Sequence, residues 1–104
     1  MFSFFKKIPT ISISQLQEKL KQPIVLIDVR NPSEYRQGHI IKAKNIPLNK
    51  IGQYREKHNS QIYVICQSGM RSKQATRILR KNGYDAVNIS HGMNRWFGQT
   101  KGGN

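Results

Sequence analysis

Cysteine occurs only once in the 104 residues, at position 66. A single cysteine cannot form a disulfide within the chain, so the sequence favours a reducing compartment, and we expect a cytoplasmic location. No stretch approaches the roughly 18 consecutive apolar residues of a membrane helix, and we predict no membrane span. With one cysteine and three histidines at no zinc-binding spacing, we expect no metal, and nothing in the sequence calls for an organic cofactor.

Acidic residues are also scarce: five Asp and Glu stand against 18 Lys and Arg, which gives a formal net charge of +13. A positive field attracts anions, which include small oxyanions and nucleic acid. The basic residues are spread along the chain and no nucleic-acid-binding motif accompanies them, so nucleic acid is an alternative partner that we do not favour. The length suits one domain, and we expect a monomer.

The sequence predicts a domain over residues 10–98, an N-terminal extension over residues 1–9 and a flexible C-terminal tail over residues 99–104. The start, MFSFFKK, is too short for a signal-peptide core and its charges follow the apolar residues. We therefore expect a loose N-terminus and not a membrane anchor.

Predicted strands and helices alternate along the domain. Capping boxes at Ser12 with Gln15 and at Asn31 with Glu34 mark two helix starts. The predicted helices cover 13–21, 32–37, 48–57 with an interruption at Gly52, 72–82 and 92–98, and the predicted strands cover 23–29, 43–47, 61–66 and 86–90. This order predicts an α/β fold in which a small parallel sheet has helices on both faces.

In such a sheet the functional crevice lies at the carboxyl ends of the strands, and Cys66 ends the predicted strand 61–66. The short loop that follows can curl its N–H groups around the sulfur, and Gly69 permits the conformation that this needs. Arg71 can return its guanidinium to the rim as an anion-binding fork. Helix N-termini and cationic neighbours favour thiolates, so the loop suggests a nucleophile for a small oxyanion. By itself, a lone cysteine at a strand end is more often a small buried hydrophobe.

Four segments resemble the rhodanese-type sulfurtransferase family. They are, in chain order, IDVRNPSEYRQGHI, AKNIPL, CQSGMRS and GMNRW, and the resemblance covers about residues 10–97. It implies a rhodanese-like fold, a sulfur-carrying nucleophile at Cys66 and a cradle formed by the next six residues. Those predicted substrate-binding residues are Gln67, Ser68, Gly69, Met70, Arg71 and Ser72. The positions that the resemblance assigns to holding loops and strand ends together are Asp28, Arg30, Glu34 and His39.

The resemblance implies transfer of a sulfane sulfur from thiosulfate or a similar donor anion, through a Cys66 persulfide, to cyanide, a thiol or a partner protein. Two residues depart from the family pattern, since Lys42 and His91 stand where glycine is common. His91 could assist a proton transfer or could have no role. Two alternatives stay open: a cysteine-dependent phosphatase, although such enzymes usually have a longer loop than the four residues between Cys66 and Arg71, and a non-catalytic binding or sensing module.

Overall fold

The structure is a computed structural model that describes residues 7–57 and 60–104. Its strands are β1 (Thr10–Ile11), β2 (Val25–Asp28), β3 (Ala43–Asn45), β4 (Ile62–Ile65) and β5 (Ala86–Ile89). Its α-helices are α1 (Ile13–Lys19), α2 (Pro32–Gln37) and α3 (Met70–Lys81). Within these described residues, two 3₁₀ helices cover Leu48–Gln53 and Gly92–Arg95, and we call them the first and the last 3₁₀ segment.

The five strands form one sheet in the order β1-β5-β4-β2-β3, and every pairing is parallel. β4 is the central strand, so both of its edges are paired and all four of its residues are buried. The predicted α/β class with a small parallel sheet is confirmed.

Each face of the sheet carries its own apolar cluster. One cluster joins the strands to α3 and the first 3₁₀ segment, and it includes Ile27, Val64, Ala86, Ile51, Ala75 and Leu79. The other joins the strands to α1, with Tyr35 of α2 and Met93 of the last 3₁₀ segment at its edge, and it includes Leu26, Tyr63, Ile65, Val87, Ile13 and Leu16. A fully buried leucine such as Leu16 contributes about 1.5–3 kcal/mol relative to an exposed one. Helices therefore cover both faces, as the sequence predicted.

Both predicted capping boxes are present. Ser12 caps α1 through reciprocal hydrogen bonds with Gln15, and Asn31 caps α2 in the same way with Glu34. α1 ends at Lys19, two residues earlier than predicted. The following turns use hydrogen bonds from Lys21 to Glu18 and from Gln22 to Lys19, because the chain must leave the α conformation before Pro23.

Several predicted elements differ in extent or type. The helix predicted over 48–57 is shorter, because only the first 3₁₀ segment forms and the backbone becomes extended at Tyr54. The helix predicted over 92–98 is likewise only the last 3₁₀ segment, because the backbone becomes extended at Trp96. α3 begins at Met70 and not at Ser72, because Gly69 already adopts the left-handed conformation of its N-cap. β1 was not predicted, since a two-residue strand has no periodicity and is defined only by its pairing with β5.

The segment that we expected to be a flexible tail lies against α2. Lys101 and His39 exchange two backbone hydrogen bonds of 2.8 and 3.0 Å, and Gly103 N–H donates to Arg36 O. Of the expected N-terminal extension, residues 1–6 lie outside the described residues. In the part of the chain that the structure describes, no helix has the length and apolar character needed to cross a membrane.

Candidate active site

Cys66 directly follows β4 and is fully buried at the carboxyl end of the central strand. Its Sγ accepts a hydrogen bond of 3.0 Å from Gly69 N–H and lies 3.4 Å from Ser72 Oγ. The first N–H groups of α3 follow at once, and the first residues of a helix have no intrahelical partner for these groups. The sulfur therefore lies at the positive end of a twelve-residue helix, where an anionic sulfur is stabilised.

Gly69 makes this approach of helix and sulfur feasible. Its φ of +104° is a left-handed conformation that side chains disfavour, and a Cβ there would lie 3.1 Å from His91 N. The neighbouring loop after β5 thus leaves little room for a larger residue. His91 itself has a positive φ of 64°, which explains why the family often has glycine at this position.

The back of the loop is held by the last 3₁₀ segment. Met93 N–H donates to Cys66 O and Asn94 N–H donates to Gln67 O, each at 2.9 Å. Because a trans peptide directs its C=O and N–H to opposite sides, these contacts turn the N–H groups after Cys66 and Gln67 away from the 3₁₀ segment. Gly92 permits the close approach, since a Cβ at this position would lie 2.1 Å from Cys66 O.

Arg71 binds Glu34 of α2. Its two terminal nitrogens donate to the two carboxylate oxygens at 2.7 and 3.0 Å, which is the bidentate geometry of a strong charge-assisted pair. The hydrogen bond holds the pKa of Glu34 below its ordinary value and raises the pKa of Arg71. The guanidinium that we expected at the rim is therefore engaged by a carboxylate, with 35% of the Arg71 side chain exposed.

A second arginine, two residues after the end of β2, also reaches the loop. Arg30 forms a buried, bidentate pair with Asp28, in which Nε donates to Oδ1 at 3.1 Å and Nη2 donates to Oδ2 at 2.8 Å, and its Nη1 donates to Gln67 Oε1 at 3.1 Å. Gln67 in turn donates to Asn94 Oδ1 at 2.8 Å, so its side chain bridges Arg30 and the last 3₁₀ segment. A buried ion pair of this kind fixes geometry more than it adds stability.

His39 packs against Tyr35 near the end of α2. It is buried, its Nδ1 lies 2.8 Å from Tyr35 O, and its ring stacks on that of Tyr35 with 3.6 Å between centroids. Together with the two arginine pairs, these contacts agree with the loop-holding positions that the resemblance implied for Asp28, Arg30, Glu34 and His39.

The remaining predicted residues differ in exposure. Ser68 and Met70 are exposed at the rim, with 75% of Met70 accessible, whereas Ser72 is fully buried. A hollow of about 320 Å³ adjoins the loop through Gln67 and is also lined by Arg30, Gln37, Gly38 and Met93. Cys66 itself is fully buried and is not among the residues that line this hollow.

Two residues of the site were missed from sequence. Asn88 accepts a hydrogen bond from Ser72 Oγ at 2.5 Å, and Gly92 lies against the Cys66 carbonyl. The signal for Asn88 was available, because it is a polar residue inside the otherwise apolar strand AVNI. In the described ranges, no group of three or more His, Cys, Asp and Glu side chains could hold a metal ion.

A family model of the rhodanese-like domain matches residues 12–99, nearly the whole of the site and sheet described above. The chain belongs to the rhodanese-like domain family. Among solved structures, the rhodanese-like domain protein from Staphylococcus aureus superposes with a TM-score of 0.85 at 32% identity, covering 93% of this chain and 100% of that one. The rhodanese-like architecture predicted from the four sequence motifs is thus confirmed.

Three proteins of Bacillus subtilis (strain 168) are similar in sequence to this rhodanese-like chain. "Uncharacterized protein YqhL" is 40% identical over 73% of this chain and 63% of its own length. "Putative sulfur carrier protein YrkF" is 35% identical over 90% of this chain and 54% of its own length. "Putative sulfurtransferase YtwF" is 35% identical over 91% of this chain and 96% of its own length. The chain therefore spans less than two thirds of YqhL and YrkF and nearly all of YtwF.

Proposed function

We propose that this rhodanese-like chain is a sulfurtransferase that carries a sulfane sulfur on Cys66. The observation that supports this most directly is the Sγ of Cys66, which accepts the Gly69 N–H at 3.0 Å in front of the N-terminus of α3. Such a cradle stabilises a thiolate before reaction and the sulfur atoms of a persulfide after it. The names of YrkF and YtwF also support transfer of sulfur as the general function.

Thiosulfate is the donor that we propose. The Cys66 thiolate attacks the outer sulfur, the S–S bond of thiosulfate breaks, and sulfite leaves with the bonding electron pair. An acceptor thiolate or cyanide then attacks the outer sulfur of the persulfide and returns Cys66 as a thiolate. No second cysteine is present in the sequence, so the persulfide cannot be resolved as an internal disulfide. The acceptor therefore comes from outside this chain, either as a small molecule or as a partner protein.

The charge balance at the site fits donor binding by backbone N–H groups and by the field of the whole molecule. Arg71 and Arg30 are each paired with a carboxylate, of Glu34 and Asp28 respectively. The charges within each of these two pairs cancel, whereas the whole chain has a formal net charge of +13. A small dianion is therefore drawn by the global field and stabilised at the loop by N–H groups.

Turnover with thiosulfate and cyanide tests the proposal, with a small phosphate ester as the competing substrate. We expect the chain to form thiocyanate and the matched Cys66→Ala variant to form none. Release of phosphate from the ester, without any sulfur transfer, would instead identify a cysteine-dependent phosphatase. Inactivity toward both, in a folded sample, would favour the non-catalytic binding or sensing module.

A further inference from the structure

Asn88 carries a polar side chain into the most buried part of the site. It lies in the middle of β5, is fully buried, and pairs in the sheet with Val64 of β4 and Thr10 of β1. Its Nδ2 has no hydrogen-bond partner within residues 7–57 and 60–104. A buried donor without a partner destabilises the fold, so we ask what the asparagine contributes at this position.

The reason lies in the hydrogen bonds of Ser72, which stands between Asn88 and the sulfur. Its Oγ is 2.5 Å from Asn88 Oδ1, 3.1 Å from Gly69 O and 3.4 Å from Cys66 Sγ. A serine hydroxyl has one proton to donate and two lone pairs that accept. With the amide oriented in this way, both oxygen neighbours compete for the Ser72 proton, and the sulfur must be the donor, which requires a thiol.

Loss of the Cys66 proton reverses these roles. A thiolate can only accept, so Ser72 must turn its proton toward Sγ. Its Oγ lone pairs then face Asn88 Oδ1, which is repulsive at 2.5 Å. A half-turn of the amide removes the conflict, because Nδ2 then donates to Oγ and the new rotamer occupies nearly the same volume. An amide has both a donor and an acceptor, which neither a carboxylate nor an alkyl side chain offers.

We propose that Asn88 is a positioning residue that acts through Ser72 to stabilise the thiolate of Cys66. In the thiol state its Oδ1 accepts from Ser72, and in the thiolate state its Nδ2 donates to Ser72, whose proton then points to the sulfur. The inference rests on the proposed function only because the proposed sulfur transfer uses the Cys66 thiolate as its nucleophile.

The ultraviolet absorbance of the thiolate, measured as a pH titration against a Cys66→Ala blank, tests the proposal. The signal comes from Cys66 alone, since the chain has no other cysteine. The chain of hydrogen bonds from Asn88 through Ser72 ends on a charged sulfur only in the thiolate state, where charge-assisted bonds are stronger, so Asn88→Leu removes more from the thiolate than from the thiol. We therefore expect this substitution to shift the midpoint upward by about one pH unit, which is roughly tenfold less thiolate at a pH below both midpoints. In a Ser72→Ala background the same substitution should cause no further shift.

Thr76→Val is the matched control. Thr76 is a fully buried hydroxyl one turn along α3 that donates to Ser72 O at 2.7 Å, so its loss lowers stability and should leave the midpoint unchanged. The charged groups that face the loop stay the same in all variants. They are Arg71 with Glu34, Arg30 with Asp28, and His91 after β5.

An unchanged midpoint in folded Asn88→Leu would overturn the proposal, as would an equal shift with and without Ser72. If Asn88→Leu fails to fold, the unsubstituted chain supplies the measurement through the NMR signals of the Asn88 side-chain amide. These signals should change with the same midpoint as the thiolate absorbance, and their constancy across that range would also overturn the proposal. Because the titration needs no sulfur donor, its outcome is independent of whether thiosulfate loads Cys66.

Discussion

Gly92→Ala should destabilise this domain more than any other glycine substitution at a left-handed position. The glycine has a φ of +56°, and an added Cβ would lie 2.1 Å from Cys66 O and 2.9 Å from Cys66 C. Both contacts are to backbone atoms, which cannot rotate away as a side chain does. The last 3₁₀ segment must therefore move away from the active-site loop.

The expected loss has two parts. A left-handed alanine costs about 1–2 kcal/mol in conformational energy. Displacement of the segment breaks the hydrogen bonds from Met93 N–H to Cys66 O and from Asn94 N–H to Gln67 O, each worth about 0.5–1.5 kcal/mol. We therefore expect the free energy of unfolding to fall by roughly 2–5 kcal/mol, and the loop to lose its alignment around the sulfur.

Gly83→Ala is the matched control, since Gly83 has a φ of +96° with no atom within 4 Å of the added Cβ. It should lose only the conformational part, about 1–2 kcal/mol, and keep its sulfur-transfer activity. Urea unfolding followed by the fluorescence of the single Trp96 measures both losses. Equal losses in the two variants, or normal sulfur loading by folded Gly92→Ala, would refute the argument that this close approach builds the site.

Three further predictions concern charge. Because its pairing with Arg71 lowers the pKa of Glu34, the stability that Glu34 contributes is fully present above its ordinary pKa and is lost as pH falls through the lowered one. The difference in unfolding free energy between the chain and Glu34→Gln should thus be constant near neutral pH and shrink in acid. If Arg71 also binds the donor, Arg71→Lys should raise KM for thiosulfate, whereas Glu34→Gln, which frees the guanidinium, should lower it. A change of KM in the same direction in both variants would mean that the ion pair is purely structural. At its exposure, such a pair stabilises the fold by about 0.5–1 kcal/mol. If the +13 net charge steers small anions to the site, kcat/KM for thiosulfate should fall as the salt concentration rises. Sub-micromolar binding of labelled tRNA near physiological salt, poorly competed by bulk polyanion, would instead indicate that the basic surface binds nucleic acid.

Short-range sequence patterns predicted the main helices and strands of this structure well. The capping boxes at Ser12 and Asn31 and the apolar runs that became β2 and β4 carry strong short-range patterns, and the strand end at Cys66 located the candidate site. The alternation of strands and helices then left few arrangements of a parallel sheet. These features depend on neighbours in sequence, which is why they are readable without coordinates.

Contacts between distant segments were not readable in this way. β1 exists only through pairing with β5, and the antiparallel bridge between His39 and Lys101 joins residues far apart in the chain. Whether the Arg71 guanidinium points to the rim or pairs with Glu34 depends on how close α2 lies to α3. Asn88 stood out only as a polar residue in an apolar strand, and its link to Ser72 required the fold to bring β5 beside α3.

Intact-mass measurement after incubation with thiosulfate tests the central proposal most directly. We expect the folded chain to gain one sulfur atom, about 32 Da, as the covalent intermediate on Cys66, and to lose it on addition of cyanide or a thiol. The Cys66→Ala variant should gain nothing. A folded chain whose Cys66 stays unmodified, while it cleaves a phosphate ester under the same conditions, would contradict sulfur transfer at this site.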